Sequence, residues 1–336
     1  MRTSKYLILL LLFLALFACK KNRLKVDVSG IELELNLHRF EKVMFENVPD
    51  EVPDLLLSLY DEHASFIDLY TEEIIKTGPI HNDGFAQYLN TFLTDTVYTQ
   101  VAEVVITTFS NLESIETDLQ KGFKHYRYYF PNKLVPDIYT YFSGFNESMV
   151  VAEDFIGISL DKYLGADCIF YEYLGIPRFK AANMNPRKIV PDVFYAWAIT
   201  EFPYRDSIDN LLSNMIYQGK LIYFTEAMNP HLPDSLLMGY RSNQIKWSKV
   251  HEAQMWTYLV EKKLIYTTER LELRRYIGDS PFTNTFGNDS PGRTGVWLGW
   301  QIVRSFMNNN KEVTLADLME MKDAQELLNR SKYYPD

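Results

Sequence analysis

The 336-residue chain carries a formal charge of -10, with 34 Lys and Arg residues against 44 Asp and Glu residues, and 47% of its residues are apolar. This apolar fraction excludes a disordered chain, because it is large enough to bury a core. The acidic balance argues against nucleic acid as a partner, since affinity for nucleic acid comes mainly from clustered Lys and Arg.

The N-terminus has the layout of a secretory signal peptide. Arg2 and Lys5 precede an unbroken apolar run over residues 6–18, which is followed by Cys19. The run is shorter than the roughly 20 residues that a helix needs to cross a bilayer, so an uncleaved membrane anchor is the weaker interpretation. We predict a signal peptide over residues 1–18, a lipidated tether over 19–24 and one globular domain over 25–336.

Cys19 is the predicted site of lipid attachment. The segment Leu16–Cys19 resembles the lipobox of bacterial lipoproteins, although Phe17 is bulkier than the usual residue there. Two or three acyl chains would make the attachment effectively permanent. Lys20, Lys21 and Arg23 suit anionic headgroups and do not resemble the acidic stretch that sends some lipoproteins to the cell surface. We therefore expect a domain in the cell envelope that faces the periplasm, on the inner or the outer membrane.

The first part of the chain is predicted to contain one strand or small hairpin and several helices. Residues 26–37 alternate apolar and polar side chains, the period of two that is typical of a strand. Between residues 52 and 70 the apolar side chains recur every three to four positions, which predicts an amphipathic helix. Further helices are predicted over 85–93, 97–109 and 112–128.

The middle and the C-terminal half differ in pattern. Residues 138–145 and 149–158 are rich in β-branched and aromatic side chains and predict two strands joined by a turn, followed by a partly helical segment over 161–175. The remaining pattern is helical. It predicts helices over 191–201, 207–227, 246–263, 271–277, 292–308 and 315–329, with Ser290 as a cap of the helix at 292. The fold class is therefore α+β, predominantly helical, with a small sheet.

The segment around residues 290–300 contains glycines and tryptophans at helical spacing. Gly295 and Gly299 are four residues apart, which allows another backbone to approach closely, and Trp297 and Trp300 lie between and beside them. We interpret this pattern as helix packing in the core. Arg293 fits less well, because a cation in the first turn meets the unfavourable end of the helix dipole. It is expected to have a carboxylate partner or to line a binding cleft.

The sequence contains no common catalytic or cofactor-binding motif. The nearest candidate is the segment His251–Met255, which begins like the His-Glu-x-x-His motif of zinc peptidases. In that motif two histidines on one helix face share the metal, and the glutamate activates its water. Met255 stands in place of the second histidine, so no metal and no other cofactor are expected.

Several segments together resemble the gliding-motility lipoprotein GldB family of the Bacteroidetes. They are the lipobox, residues 183–191, residues 218–224 and above all residues 290–300, which read SPGRTGVWLGW. The resemblance runs from the signal peptide to the C-terminus. It implies a membrane-associated component of gliding motility, with other gliding and secretion proteins of the envelope as partners, in a system coupled to type IX secretion.

The C-terminal half also looks distantly like a zinc-peptidase domain, in which a His-Glu-x-x-His helix is followed by a helix that opens with Glu-Gly. This resemblance places Tyr195 and Ile199 at the two histidine positions, Ala196 at the catalytic glutamate and Gln218 at the third ligand. None of these side chains is a usual zinc ligand. The resemblance therefore implies a degenerate, zincin-like domain that has lost its metal.

The predicted function is a lipid-anchored, non-enzymatic component of the gliding apparatus. Two alternatives remain open. The first is an active metal-dependent peptidase with unusual ligands such as His231, His251 and Glu252. The second is a peptide- or glycan-binding lipoprotein whose cleft is lined by Trp197 and Arg293.

Overall fold

The N-terminal segment packs on the domain without forming most of its predicted strand. A computed structural model describes residues 22–206 and 208–335. Leu24, Val28 and Leu35 are buried, and the apolar side chains between them are partly buried in alternation with exposed polar ones. Only Leu37–Arg39 forms a strand, β1. The prediction of a strand or hairpin over 26–37 was therefore wrong in extent, because the alternating side chains bury against the core while the backbone has no partner strand over most of this length.

Helices make up most of the N-terminal half, and the predicted ones are found within a few residues of their expected ends. The predicted helix at 52–70 continues beyond Asp68 into a short π-helix, Leu69–Ile74. Asp95 caps one helix, because its side chain accepts hydrogen bonds from the backbone NH groups of Val97 (2.9 Å) and Tyr98 (3.0 Å). The helices are α1 (Phe40–Phe45), α2 (Val52–Asp68), α3 (Phe85–Leu93), α4 (Thr96–Thr108) and α5 (Glu113–Tyr129).

A four-stranded mixed sheet lies between these helices and the C-terminal half. Its other strands are β2 (Asp137–Tyr141), β3 (Met149–Val151) and β4 (Phe155–Ser159), and the strand order is β1-β2-β4-β3. β2 is parallel to both β1 and β4, whereas β3 is antiparallel to β4. The predicted second strand is thus two strands. β3 and β4 form a hairpin with each other, and β2 pairs with β4.

The C-terminal half is helical throughout. Two predicted helices are each broken in two: the backbone leaves helical geometry at His251 (φ -104°, ψ 11°), and a short connection follows Glu320. The helices are α6 (Ile169–Tyr173), α7 (Arg178–Ala181), α8 (Ile189–Glu201), α9 (Leu211–Met228), α10 (Asp234–Met238), α11 (Ser242–Val250), α12 (Glu252–Glu261), α13 (Arg270–Ile277), α14 (Thr294–Asn309), α15 (Leu315–Glu320) and α16 (Ala324–Ser331).

The crossing of α9 and α14 forms the centre of the core. A Cβ atom built on Gly219 would lie 2.4 Å from the carbonyl carbon of Gly299, and one on Gly299 would lie 1.8 Å from the carbonyl oxygen of Met215. The two backbones therefore touch, as the glycine spacing predicted. Trp297 and Trp300 are almost fully buried, which confirms their interpretation as core residues. The fold is α+β and mostly helical with a small sheet, as expected.

A buried histidine in α5 should make stability depend on pH. Burial, with smaller effects of Lys121 and His231, lowers the pKa of His125 from 6.5 to about 4. Between these values the unfolded chain binds a proton that the folded chain does not, so stability falls as the pH falls through this range. Between neutral and acidic pH, the free energy of unfolding of His125→Leu should fall by about 2 kcal/mol less than that of the wild type. Urea unfolding at both pH values measures this difference. An unchanged pH dependence in the variant would contradict this assignment.

Candidate functional site

Two of the positions assigned to lost metal ligands lie side by side on neighbouring helices. Pro191 lies in the first turn of α8, where its missing NH costs no hydrogen bond, and Asn210 caps α9 by accepting from the NH of Ser213 at 2.9 Å. The Tyr195 hydroxyl of α8 donates a hydrogen bond to Oε1 of Gln218 on α9. Burial raises the pKa of Tyr195, although the charge of Arg293 opposes this. The pair is therefore a neutral phenol–amide hydrogen bond.

The other positions from the same resemblance have different environments. Ala196 is half-buried, and Ile199, one turn beyond Tyr195, is 42% exposed. Trp197 is 1% exposed, and its ring centroid lies 6.1 Å from that of Tyr126 in the core. The expectation that Trp197 lines a cleft is thereby corrected. The reason is helix geometry, since two residues along a helix turn a side chain by about 200°, away from the face of Tyr195.

Arg293 lies in the wall of an open groove. It directly precedes α14 in the left-handed backbone conformation (φ 57°, ψ 33°), a region that non-glycine residues rarely adopt. Its Nε atom lies 3.7 Å from Oδ1 of Asp279, the kind of carboxylate partner expected at this dipole end. Ser290 is not the helix cap that was predicted, because its hydroxyl is buried and bonds to Gly287 and Thr283 instead.

The groove has two adjoining parts with volumes of about 720 and 640 Å³. Both parts are bordered by Asn183, Lys188, Gly239, Asp279 and Arg293, so they are continuous. Seven cationic side chains and two carboxylates line it. We call it the basic groove, and its charged residues are Lys162, Arg178, Lys180, Arg187, Lys188, Arg241 and Arg293 with Asp192 and Asp279.

Two lysines of the basic groove make contacts that stabilise the fold. Nζ of Lys188 is buried and lies 2.9 Å from Oδ1 of Asp192, while it donates to the carbonyl of Leu236 at 3.1 Å. Nζ of Lys162 donates to the carbonyl of Phe145 at 2.9 Å. These two lysines therefore hold neighbouring segments together at the base of the groove.

Three arginines of the basic groove are available to a ligand. Arg178, Arg187 and Arg241 are exposed, and none of them forms an ion pair within residues 22–206 and 208–335. Sequence reasoning missed these residues. A signal was present, because Arg178, Lys180, Arg187 and Lys188 fall within eleven positions of a chain with a charge of -10.

His251 and Glu252, two of the ligands suggested for the alternative peptidase, interact with neighbouring side chains. The ring of His251 stacks on Trp247 at a centroid distance of 4.2 Å. The carboxylate of Glu252 accepts hydrogen bonds from Nε1 of Trp297 (2.9 Å) and the hydroxyl of Tyr333 (2.8 Å). Among the described residues, no three His, Cys, Asp or Glu side chains, His231 included, converge in an arrangement that could hold a metal ion.

The N-terminal segment is fixed at the far end of α14 from the basic groove. The guanidinium of Arg23 donates to the carbonyl oxygens of Met307, in the last turn of α14, and Val313, the latter at 2.7 Å. Leu24 is buried. Cys19 and the predicted signal peptide lie outside the described residues. Over the part of the chain that is described, no helix has the length and apolar character of a membrane span.

The molecule thus belongs to the class of mostly helical α+β proteins that carry a solvent-open basic groove, with an N-terminal segment fixed to the domain surface. The family model described as "Gliding motility protein GldB" matches residues 21–335. The chain therefore belongs to the GldB family of gliding-motility lipoproteins, and the family indicates a location in the cell envelope. Neither a curated protein nor a solved structure matches the chain.

Proposed function

We propose that this chain is a non-enzymatic, lipid-anchored component of the gliding apparatus that works with type IX secretion. Family membership over residues 21–335 supports the role in gliding. The lipobox-like segment that ends at Cys19 supports the lipid anchor. The anchor would hold the domain at a membrane, facing the periplasm, next to other envelope proteins of the same apparatus.

The Tyr195–Gln218 hydrogen bond is the observation that supports a non-enzymatic role. The proposal treats α8 and α9 as the two helices of a zincin-like domain, whose metal would lie between them. At that place the domain has a protonated phenol that donates to an amide oxygen. Such a pair satisfies its own hydrogen bonds and supplies neither an imidazole nor a carboxylate to zinc. The helix pair would thus be retained as a scaffold.

The short distance along the chain between Cys19 and Arg23 supports a domain held close to the bilayer. Arg23 is fixed to the end of α14, and only residues 20–22 separate it from Cys19. Four residue steps span at most about 14 Å when fully extended. The end of α14 near Met307 would therefore lie next to the membrane surface.

A complementation experiment tests this proposal. Deletion of the gene should abolish colony spreading, and the wild-type gene should restore it. A triple variant, His231→Ala/His251→Ala/Glu252→Gln, should restore spreading fully, because these side chains have no chemical role in the proposal. A Cys19→Ser variant should lose the membrane fraction and fail to restore spreading.

The same strains separate the peptidase alternative. A triple variant that is present at normal levels in the membrane fraction but does not restore spreading would support chemistry at His231, His251 or Glu252. Stoichiometric zinc that remains in the purified wild-type protein after dialysis would also support the peptidase alternative. Normal spreading of the deletion strain would refute the motility role itself.

A further inference from the structure

The basic groove is the strongest feature of the molecule that the proposed function leaves unexplained. Its lining has five more positive than negative side chains, in a chain whose formal charge is -10. Lys162, Lys188 and Arg293 have partners within the fold, but Arg178, Arg187 and Arg241 form no ion pair within the part of the chain that the structure describes. Such an excess of unpaired cations in an open groove attracts an anionic ligand. The groove is also too large for a single small anion to fill, at about 720 and 640 Å³ for its two parts.

The groove presents unused donors that are spread along its walls. The guanidinium groups of Arg178, Arg187 and Arg241 each have several NH groups that can bind carboxylates in a forked geometry. Gln244 also lines the groove; its Oε1 accepts from the backbone NH of Arg241, and its NH₂ group has no hydrogen-bond acceptor in the described part of the chain. Because each exposed ion pair contributes little alone, this arrangement favours a ligand with several negative charges.

An apolar rim borders one end of the basic groove. It consists of Ile169, Tyr173 and Leu174, which are 47%, 76% and 54% exposed, and Leu174 also lines the groove. Exposed apolar side chains grouped beside a polar groove are typical of protein–protein contact sites. Two of its three members, Ile169 and Leu174, are aliphatic and offer no hydrogen bond to sugar hydroxyls, so the rim favours the apolar side chains of a polypeptide over a glycan.

The position of the groove favours a ligand away from the bilayer of the anchor. Arg293 directly precedes α14, and Arg23 binds at the other end of this helix. A helix of 16 residues is about 24 Å long. The tether thus emerges at one end of α14 and the groove opens at the other, which favours a ligand on another protein over the headgroups of the anchoring membrane.

We propose that the basic groove binds an extended acidic segment of another polypeptide, whose carboxylates contact Arg178, Arg187 and Arg241 and whose apolar side chains pack on the apolar rim. This inference rests on the proposed function in one respect, namely that a lipid anchor at Cys19 turns the groove away from the membrane. The groove would then be the surface through which the anchored domain holds a protein partner in the envelope.

A binding experiment with the lipidated full-length protein in nanodiscs of zwitterionic lipid tests the inference. The probe is a fluorescent peptide of repeated Glu-Glu-Leu units, and its partner probe has Gln in place of Glu. Fluorescence anisotropy should show binding of the acidic peptide, at least about tenfold weaker binding of the Gln peptide, and weakening by salt. The triple variant Arg178→Gln/Arg187→Gln/Arg241→Gln should lose about tenfold in affinity for the acidic peptide.

A second triple variant is the matched control. Lys262→Gln/Arg270→Gln/Lys311→Gln removes the same number of positive charges from exposed positions outside the groove and should bind the peptide like the wild type. Leu174→Ser should weaken binding about threefold by removing part of the rim. Because these residues are exposed, circular dichroism should show unchanged folding in all variants.

Three results would overturn the inference. The first is equal affinity of the groove variant and the wild type, and the second is an equal loss in both triple variants. The third is binding to vesicles with anionic phospholipid that requires the groove arginines and is not inhibited by the acidic peptide, which would assign the groove to lipid headgroups. These outcomes are independent of colony spreading, so they are distinguishable from failure of the proposed motility role.

Discussion

Replacement of Gly299 by alanine should lower the free energy of unfolding by about 3 kcal/mol. The new methyl group would lie 1.8 Å from the carbonyl oxygen of Met215, a backbone atom in the second turn of α9. Neither helix can move away cheaply, because Trp297 and Trp300 of α14 are almost fully buried in the core. Urea unfolding followed by tryptophan fluorescence measures the loss.

Two further variants make this experiment specific. Gly219→Ala, on the facing helix, should be similarly harmful, and the double variant should cost less than the sum, because both methyl groups separate the same two backbones. Gly30→Ala is the control, since a Cβ atom there has no neighbour within 4 Å. If Gly299→Ala were as mild as Gly30→Ala, the close crossing of α9 and α14 would be incorrect.

Replacement of Arg304 by methionine should lower the free energy of unfolding by about 3 kcal/mol. The guanidinium of Arg304 binds Glu226 at 2.7 Å and Asp234 at 2.9 Å, and it stacks 3.6 Å from the ring centroid of Trp300. Glu226 also accepts from Nε1 of Trp300 at 3.0 Å and is mostly buried. Without Arg304 the mostly buried Glu226 carboxylate would have lost its nearest cation, which is costly for a buried acidic group.

A double-mutant cycle checks this explanation. Glu226→Gln should recover at least about 1 kcal/mol in the Arg304→Met background, because it removes the uncompensated charge. Arg275→Met is the control: its partner, Glu272, lies 2.7 Å away in a solvent-exposed pair, so the loss should be about 0.5 kcal/mol. A loss of that small size for Arg304→Met would show that the network adds little to stability.

The two ends of α14 lie next to different features of the molecule. The C-terminal end binds Arg23, which follows the proposed lipidation site, Cys19, by four positions. The N-terminal end carries Arg293 in the wall of the basic groove. Between these two ends α14 packs tightly on α9. This arrangement suits a component that connects a membrane to another protein.

Local patterns in the sequence predicted most helices correctly, since the spacing of apolar residues follows directly from the helical period. The N-terminal strand was overestimated for a related reason. Alternating burial requires only a surface to pack on, whereas a strand also requires a neighbouring strand for its backbone hydrogen bonds. Residues 26–36 have no such neighbouring strand. The helix cap at Ser290 failed because that hydroxyl bonds within its own loop, to Gly287 and Thr283.

By itself, the sequence determined the family, the helical character and the close approach of another backbone at Gly299, because each is recorded in residues close together along the chain. The tertiary structure decided that the approaching helix is α9, at Met215 and Gly219. Through the zinc-peptidase resemblance, the sequence also assigned Tyr195 and Gln218 to the same lost metal site. Only the tertiary structure decided that Trp197 is a core residue and that cations from three distant segments, at residues 162–188, 241 and 293, line one groove. Such a groove depends on contacts between segments more than 50 positions apart, which neither composition nor periodicity records.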